Sequence, residues 1–278
     1  MPFDFSRSAL AIDVTVHGTP LHVLLDTGVD PSVVDAGRVQ ALGLAADRSD
    51  SGEASGFGDG KGAQVFPAPI EGLAIGDRHF ARFDAVATDM AAISAGYGRK
   101  LDAVLGYSFL ADKIVLIDYP ASKLAILGAA SQSAMWTRGC AKRWQIPLKT
   151  YDSFPLIPAF RFGRATGPVT IDTGYNGNIA LFGSAVALPG VRGALAETGS
   201  VSHVGARGEA KTSAYALRLP VGFGPFTLPP GEAVMLHKAA ESPTTRVANI
   251  GNKLFAAMKL KLLLDYPGRR MAFYGECR

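Results

Sequence analysis

The sequence has few cysteines, no long apolar run and no cluster of basic residues, and each shortage argues against a class of protein. Its 278 residues include 2 cysteines, Cys140 and Cys277, so a disulfide-rich scaffold is excluded, while one disulfide and two free thiols both stay open. No apolar run approaches the length needed to cross a bilayer. Lysine and arginine are scattered and the net charge is only +4, which gives nucleic-acid binding little support.

The opening residues, MPFDFSRSALAID, lack the basic region and the apolar core of a signal peptide. We therefore expect a cytoplasmic protein if the chain is complete, and a periplasmic or secreted one if a signal peptide has been removed. An apolar fraction of 48% with 19% charged residues predicts a well-packed globular protein. The 32 glycines and 17 prolines are typical of short strands joined by many turns.

What the sequence does have is an internal repeat. LLDTG at 24–28 returns as TIDTG at 170–174, AVLGYSFL at 103–110 as ANIGNKLF at 248–255, and LIDYPASKLAI at 116–126 as LLDYPGRRMAF at 263–273. The three matches share an offset of roughly 146 residues, which indicates a duplicated unit of lobe size rather than a solenoid repeat. We place the boundary in the polar and basic join before residue 140, giving lobes 1–139 and 140–278.

Each lobe has the pattern of an all-β fold with a few short helices. ALAIDVTV and LHVLLD predict a hairpin across the turn HGTP, and IVLIDYP with KLAIL predicts a second one. Short helices are predicted at SVVDAGRVQALGL and around GYSFLADK. Glycine-rich stretches, GEASGFGDGKGAQ and VSHVGARGEAKTSA, have the composition of mobile hairpin tips.

Asp26 and Asp172, in the two Asp-Thr-Gly triplets, are the candidate catalytic residues. Each triplet follows an apolar strand and precedes an apolar-apolar-Gly element by about 80 residues. On these motifs the chain resembles the retropepsin-like and pepsin-like aspartic peptidases over nearly its whole length. It resembles the single-chain arrangement of the pepsin-like members, while its short motifs and lobe size look closer to bacterial retropepsin-like proteins. The resemblance implies two homologous barrel-like lobes with pseudo-twofold symmetry.

The resemblance also implies the activity, which is endopeptidase hydrolysis by a water activated between Asp26 and Asp172. Two neighbouring carboxylates share one proton, so one acts as general base while the other polarises the scissile carbonyl. No metal and no cofactor is needed. The substrate is expected to be a peptide or protein in extended conformation, and both half-sites in one chain imply a monomer.

The supporting residues follow from the same resemblance. Threonines would hydrogen-bond across the lobe interface, glycines would permit close backbone approach, and the glycine-rich tips would act as flaps over substrate. The family's flap tyrosine has no equivalent, and Phe57 takes that position without a hydroxyl. The dyad-supporting residues are Thr27, Gly28, Thr173, Gly174, Gly106 and Gly251, and the substrate or flap residues are Phe57, Gly58, His203 and Gly205.

Other interpretations stay open. The same fold could be a catalytically silent module that binds a peptide or a partner, as the unusual Val29 and Asp30 after the first triplet would allow. An actin-like phosphotransferase fits Asp26 to Ser32 loosely but leaves the apolar-apolar-Gly elements unexplained. Asp118 and Asp265, each before Tyr-Pro, are predicted to be turn formers rather than catalytic groups.

Overall fold

The computed structural model describes residues 1–237, 241–242 and 244–278. Strands make up 46% of it and helices 12%, which confirms the prediction of an all-β fold with a few short helices. The described strands are β1 (Ala11–Val16), β2 (Thr19–Leu25), β3 (Ser32–Asp35), β4 (Gly52–Glu53), β5 (Gln64–Pro67), β6 (Leu73–Ile75), β7 (Arg78–His79), β8 (Ala85–Thr88), β9 (Ala103–Leu105), β10 (Ile114–Asp118), β11 (Lys123–Leu127), β12 (Cys140–Pro147), β13 (Thr150–Tyr151), β14 (Phe154–Phe162), β15 (Ala165–Ile171), β16 (Ile179–Leu181), β17 (Leu195–Gly205), β18 (Gly208–Leu217), β19 (Val221–Phe223), β20 (Phe226–Leu228), β21 (Glu232–Leu236), β22 (Ala248–Ile250), β23 (Lys261–Asp265) and β24 (Arg270–Cys277).

The helices are short, and two of them, α2 (Tyr107–Leu110) and α5 (Asn252–Ala257), follow directly after the strands β9 and β22. The described α-helices are α1 (Ala91–Tyr97), α2 (Tyr107–Leu110), α3 (Ser133–Thr137), α4 (Gly183–Val186) and α5 (Asn252–Ala257). Two 3₁₀ turns, Ala130–Gln132 and Arg192–Ala194, complete the helical content of the described residues. The helix predicted around GYSFLADK is confirmed as α2.

The chain forms two compact units. The N-terminal unit comprises Leu10–Phe109 and the hairpin tip Ser202–Lys211, and the C-terminal unit comprises Met1–Ala9, Leu110–Val201 and Thr212–Arg278. These units are defined by spatial contacts, so they divide the chain differently from the repeat boundary predicted near residue 140. That boundary stays a prediction about the sequence repeat.

The N-terminal unit is built on one sheet with the strand order β4-β5-β8-β3-β9-β2-β1-β6-β7. The predicted hairpin of β1 and β2 is confirmed, with Val14 opposite Leu21 and a turn in which Gly18 has a φ of 78°. β9 lies parallel to β2, with Leu105 in register with Leu25. The end of β2 is thereby held in the middle of the sheet.

The helix predicted over residues 32–44 is wrong. Residues Ser32–Asp35 form β3, which pairs with β8 on one side and β9 on the other, and turns follow it. Val33 and Val34 are β-branched and fit a pleated sheet better than a helix. Here pairing with two neighbouring strands overrides a helix-like apolar spacing.

The C-terminal unit contains two sheets. Its five-stranded sheet has the order β11-β10-β23-β24-β12, and the predicted hairpin of β10 and β11 is confirmed. Its larger sheet runs β17-β18-β21-β16-β22-β15-β14-β19-β20, with β13 paired to β14. Within it β22 lies parallel to β15, with Ile250 in register with Ile171. The core of this unit is rich in phenylalanine, and Phe160, Phe223 and Phe273 are fully buried.

A disulfide joins Cys140 to Cys277, so the state left open by the sequence is resolved in favour of a bond. The two cysteines are cross-strand partners, since Cys140 of β12 lies opposite Cys277 of β24. The bond closes a loop with a sequence separation of 137 residues. It therefore links two neighbouring strands, β24 and β12, at one edge of the five-stranded sheet.

The two aspartates before Tyr-Pro act as turn formers, as predicted. Asp118 accepts the Ala121 N–H at 3.1 Å, and Asp265 accepts the Gly268 N–H at 2.8 Å. Both are nearly buried and paired with a cation, Asp118 with Lys261 at 2.7 Å and Asp265 with the Arg270 guanidinium at 2.8 Å. Their role is structural.

Candidate active site

Asp26 stands directly after β2, and the strand pairing sets its position. Its backbone N–H donates to the Leu105 carbonyl at 3.0 Å, which continues the parallel ladder of β2 and β9 by one residue. The Gly28 N–H donates to Asp26 Oδ1 at 2.6 Å, so the loop folds back onto its own carboxylate. Thr27 between them is buried, while Asp26 is partly exposed. The loop therefore fixes the carboxylate without burying it.

Gly106 lies against the loop that follows Asp26. A Cβ at Gly106 would stand 2.5 Å from the Val29 carbonyl oxygen, well inside any ordinary contact. The next residue, Tyr107, donates its N–H to the same Val29 carbonyl at 2.8 Å. The predicted close approach at Gly106 is thus present, and a larger residue would displace the loop.

Ser32 ties the loop to the apolar-apolar-Gly strand. It is fully buried, its Oγ accepts the Gly106 N–H at 2.9 Å, and it shares a hydroxyl hydrogen bond with Ser108 at 2.9 Å. Ser108 in turn donates to the Asp84 carbonyl at 2.6 Å. The hydroxyl after the first triplet thus holds the glycine element in register with the aspartate loop.

Asp172 has the same arrangement in the C-terminal unit. It follows β15, and its N–H donates to the Ile250 carbonyl of β22 at 3.0 Å. The N–H groups of Gly174 and Tyr175 donate to Asp172 Oδ1 at 3.1 and 3.0 Å. Thr173 is buried and Asp172 is partly exposed, as in the first loop.

Gly251 accommodates the second loop as Gly106 does the first. A Cβ there would lie 2.4 Å from the Gly177 carbonyl oxygen and 2.6 Å from the Tyr175 carbonyl oxygen. The Gly251 N–H donates to the Asn178 backbone carbonyl at 2.9 Å, whereas the Asn178 side chain donates to Glu232 at 2.6 Å. In the second loop the backbone carbonyl of Asn178 therefore accepts the glycine N–H, which the Ser32 hydroxyl accepts in the first loop.

Tyr175 is the unusual residue after the second triplet, and its ring packs against its own loop. A Cβ at Gly177 would stand 2.2 Å from Tyr175 Oη, so the phenol covers that glycine. Burial raises the pKa of the Tyr175 phenol well above its usual range, and the negative charge of Asp172 raises it further. The phenol beside the carboxylate is therefore neutral over any ordinary working range.

Two asparagines around Asp172 were missed by the sequence reasoning. Asn252 is fully buried, donates to the Thr173 carbonyl at 2.6 Å and accepts the Tyr119 hydroxyl at 2.9 Å. Asn249 donates its Nδ2 to Asp172 Oδ2 at 3.5 Å. The available signal for Asn249 was a polar residue inside ANIG, where the first copy has only apolar residues before its glycine.

The predicted flap residues come together within the N-terminal unit. The rings of Phe57 and His203 lie edge to face with centroids 6.2 Å apart, and the Arg207 N–H donates to the Phe57 carbonyl at 2.9 Å. A Cβ at Gly58 would meet the Arg207 carbonyl carbon at 2.4 Å, and one at Gly205 would meet the Phe57 carbonyl oxygen at 2.6 Å. The two glycine-rich tips therefore contact each other, and they approach most closely at Gly58 and Gly205, which have no side chain.

Asp26 belongs to the N-terminal unit and Asp172 to the C-terminal unit. Within the described ranges, no group of three His, Cys, Asp or Glu side chains is arranged to hold a metal ion. None of the helices in those ranges is long and apolar enough to span a bilayer.

Comparison with known families agrees with the first half-site. Residues 12–109 match a protein family described as aspartyl protease. The matched segment contains both parts of that half-site, the Asp26-Thr27-Gly28 triplet and Gly106. No match is found among curated proteins. The match supports an aspartic-protease-like function, and it lies within the part of the chain that forms the N-terminal unit.

Proposed function

We propose that the protein is an aspartic endopeptidase in which Asp26 and Asp172 form one catalytic pair. The observation that carries this proposal is the recurrence of one local arrangement in both units. In each, an Asp-Thr-Gly loop follows a strand, bonds to a parallel strand that ends in an apolar residue and a glycine, and is accommodated by that glycine. The aspartyl protease match over residues 12–109 supports the same assignment for the first loop.

The recurrence also supports an internal duplication of a retropepsin-like half. In the N-terminal unit β3 is antiparallel to β9 and parallel to β8, and in the C-terminal unit β16 is antiparallel to β22 and parallel to β21. Two unrelated sequences have no reason to share both pairings around the same triplet. A single chain with both halves would function as a monomer, without a partner subunit supplying the second aspartate.

The chemistry requires that the two carboxylates share one proton. The charged member takes a proton from a bound water, which attacks the scissile carbonyl, while the protonated member donates to the carbonyl oxygen. When the C–N bond breaks, the carboxyl group that took the water proton passes it to the leaving amine. The other carboxylate regains its proton from a hydroxyl of the tetrahedral intermediate as the product carboxyl group forms, so both return to their starting states. Thr27 and Thr173, both buried beside their aspartates, are proposed to hydrogen-bond and hold the two loops in register.

The glycine-rich tips are proposed to cover an extended peptide. Phe57, Gly58, His203 and Gly205 form a contact that lacks side chains at its closest points, which suits segments that separate and close again. An extended substrate would add as a strand, held by main-chain hydrogen bonds with side chains in alternating positions. Phe57 would contribute apolar contact without a hydroxyl.

The proposal is tested with a quenched-fluorescence peptide library screened from pH 3 to pH 8. Cleavage is expected, with inhibition by a statine-type compound and loss of activity in Asp26→Asn and in Asp172→Asn. The matched control is Asp77→Asn, because Asp77 is an exposed aspartate in the turn between β6 and β7.

Each alternative has its own outcome. Cleavage that survives either loop substitution contradicts the proposed pair. Saturable binding of peptides without cleavage at any pH would favour a binding module of the same fold over an enzyme.

A further inference from the structure

The surroundings of the two aspartates differ at one position behind the loops. In the C-terminal unit Asn249 of β22 donates to Asp172 Oδ2, and the corresponding position in the N-terminal unit is Val104 of β9. Valine has no polar side-chain atom and cannot donate to Asp26. The repeat is therefore broken at this position, where the second half has a side-chain donor and the first half has an apolar side chain.

Two donors fix the orientation of the Asn249 amide. The Thr170 hydroxyl donates to Asn249 Oδ1 in a short contact, and the Arg246 guanidinium donates to the same oxygen at 3.4 Å. With Oδ1 occupied by donors, the NH₂ group must point the other way, toward Asp172. At 3.5 Å the bond to Asp172 is long, so its main contribution is an oriented dipole.

Arg246 is itself held rigidly. Only 9% of it is exposed, and its guanidinium lies 4.5 Å from the centroid of the Phe182 ring and 5.1 Å from that of Tyr151. Glu241 forms a short ion pair with it, and the Tyr151 hydroxyl donates to Glu241 at 3.2 Å. The Glu241 charge offsets that of Arg246, so the arginine acts on Asp172 chiefly by orienting Asn249.

Two further titratable groups of the described residues lie near this network, Tyr175 and His237. The Tyr175 phenol beside Asp172 stays protonated, as described above. Burial lowers the pKa of His237, and the Arg246 charge lowers it further against the opposing effect of Glu241. The Tyr175 phenol therefore adds no charge beside Asp172, and the lowered pKa of His237 favours its neutral form.

We infer that Asn249 is a positioning residue that favours the ionised, water-activating form of Asp172 in the catalytic pair. The inference rests on the proposed pair. A donor aimed at a carboxylate favours its ionised form, and the Asn249 amide is aimed at Asp172.

The test is Asn249→Val, which copies the residue of the first half. Carboxyl carbons of aspartate are labelled with ¹³C, and the titrations of Asp172 and Asp26 are followed by NMR. Asp172 is expected to titrate about half to one pH unit higher in the variant. The acidic limb of kcat/KM should move with it, which corresponds to about a three- to tenfold loss at the acidic end.

Two further variants make the result interpretable. Thr170→Val removes one donor that orients Asn249 and should move the Asp172 titration in the same direction by less, so it also serves if Asn249→Val does not fold. Val104→Leu, a change at the corresponding apolar position, should leave the Asp172 titration where it is.

Different results would overturn the role of Asn249 and the proposed function. An unchanged Asp172 titration in folded Asn249→Val overturns the role of Asn249 even if the enzyme cleaves peptides. Absence of cleavage by the wild type, by contrast, overturns the proposed function, while the NMR titration still decides whether Asn249 acts on Asp172.

Discussion

Replacing Gly106 by alanine is the sharpest perturbation of the first half-site. The new methyl would lie 2.5 Å from the Val29 carbonyl oxygen and 2.6 Å from Val29 Cγ1, against an ordinary contact of 3.4 Å or more. The loop, the strand or both must therefore move by close to 1 Å. Overpacking of this kind costs about 1–3 kcal/mol of unfolding free energy. Misplacement of a catalytic group by about 1 Å costs on the order of a hundredfold in rate.

The assay pairs urea unfolding with the rate of peptide cleavage. Gly106→Ala should lower the urea midpoint and reduce kcat far more than the modest stability loss alone explains. Gly37→Ala is the matched control in the same unit, because its nearest neighbour atom would be 3.6 Å away and its backbone φ is not left-handed. An unchanged midpoint and rate in Gly106→Ala would refute the claim that this glycine sets the Asp26 loop.

Two further predictions concern the C-terminal unit. Replacing Cys140 and Cys277 by serine should lower the unfolding free energy by up to about 5 kcal/mol, since the disulfide closes a separation of 137 residues; chemical denaturation of both forms measures the loss, and equal midpoints would contradict it. The pKa of Tyr175 is raised in the folded state, so the unfolded state releases this proton first as the pH rises. The free energy of unfolding therefore keeps the Tyr175 contribution below about pH 10 and falls by about 1 kcal/mol between pH 10 and pH 11. Tyr175→Phe should weaken that fall in unfolding experiments at the two pH values, and an identical fall would count against it.

The all-β fold could be predicted from the sequence because its motifs are local. The hairpin of β1 and β2, the turns at Asp118 and Asp265 and the close approach at Gly106 all follow from short patterns with one physical reading. Residues 32–44 failed because an apolar spacing suited to a helix was overridden by pairing with β8 and β9. Strand pairing is decided by distant segments, and local propensity is only a weak guide to it.

The site was harder to complete from sequence than the fold. Asp172 could be found from its triplet, but Asn249, Arg246 and Thr170 reach it through side-chain contacts that no spacing rule predicts. Only the polar residue inside ANIG gave a local sign of this asymmetry. The Cys140 and Cys277 pairing likewise depended on β12 and β24 being neighbours, which two isolated cysteines cannot reveal.

The central claim is that Asp26 and Asp172 act as one catalytic unit, and a double-mutant cycle tests it most directly. Residues that act together lose their function together, so the cleavage rates of Asp26→Asn, Asp172→Asn and the double variant should fall to the same residual level. Independent contributions would instead slow the double variant, relative to the wild type, by the product of the two single losses. That multiplicative result, or substantial cleavage by either single variant, would contradict the account.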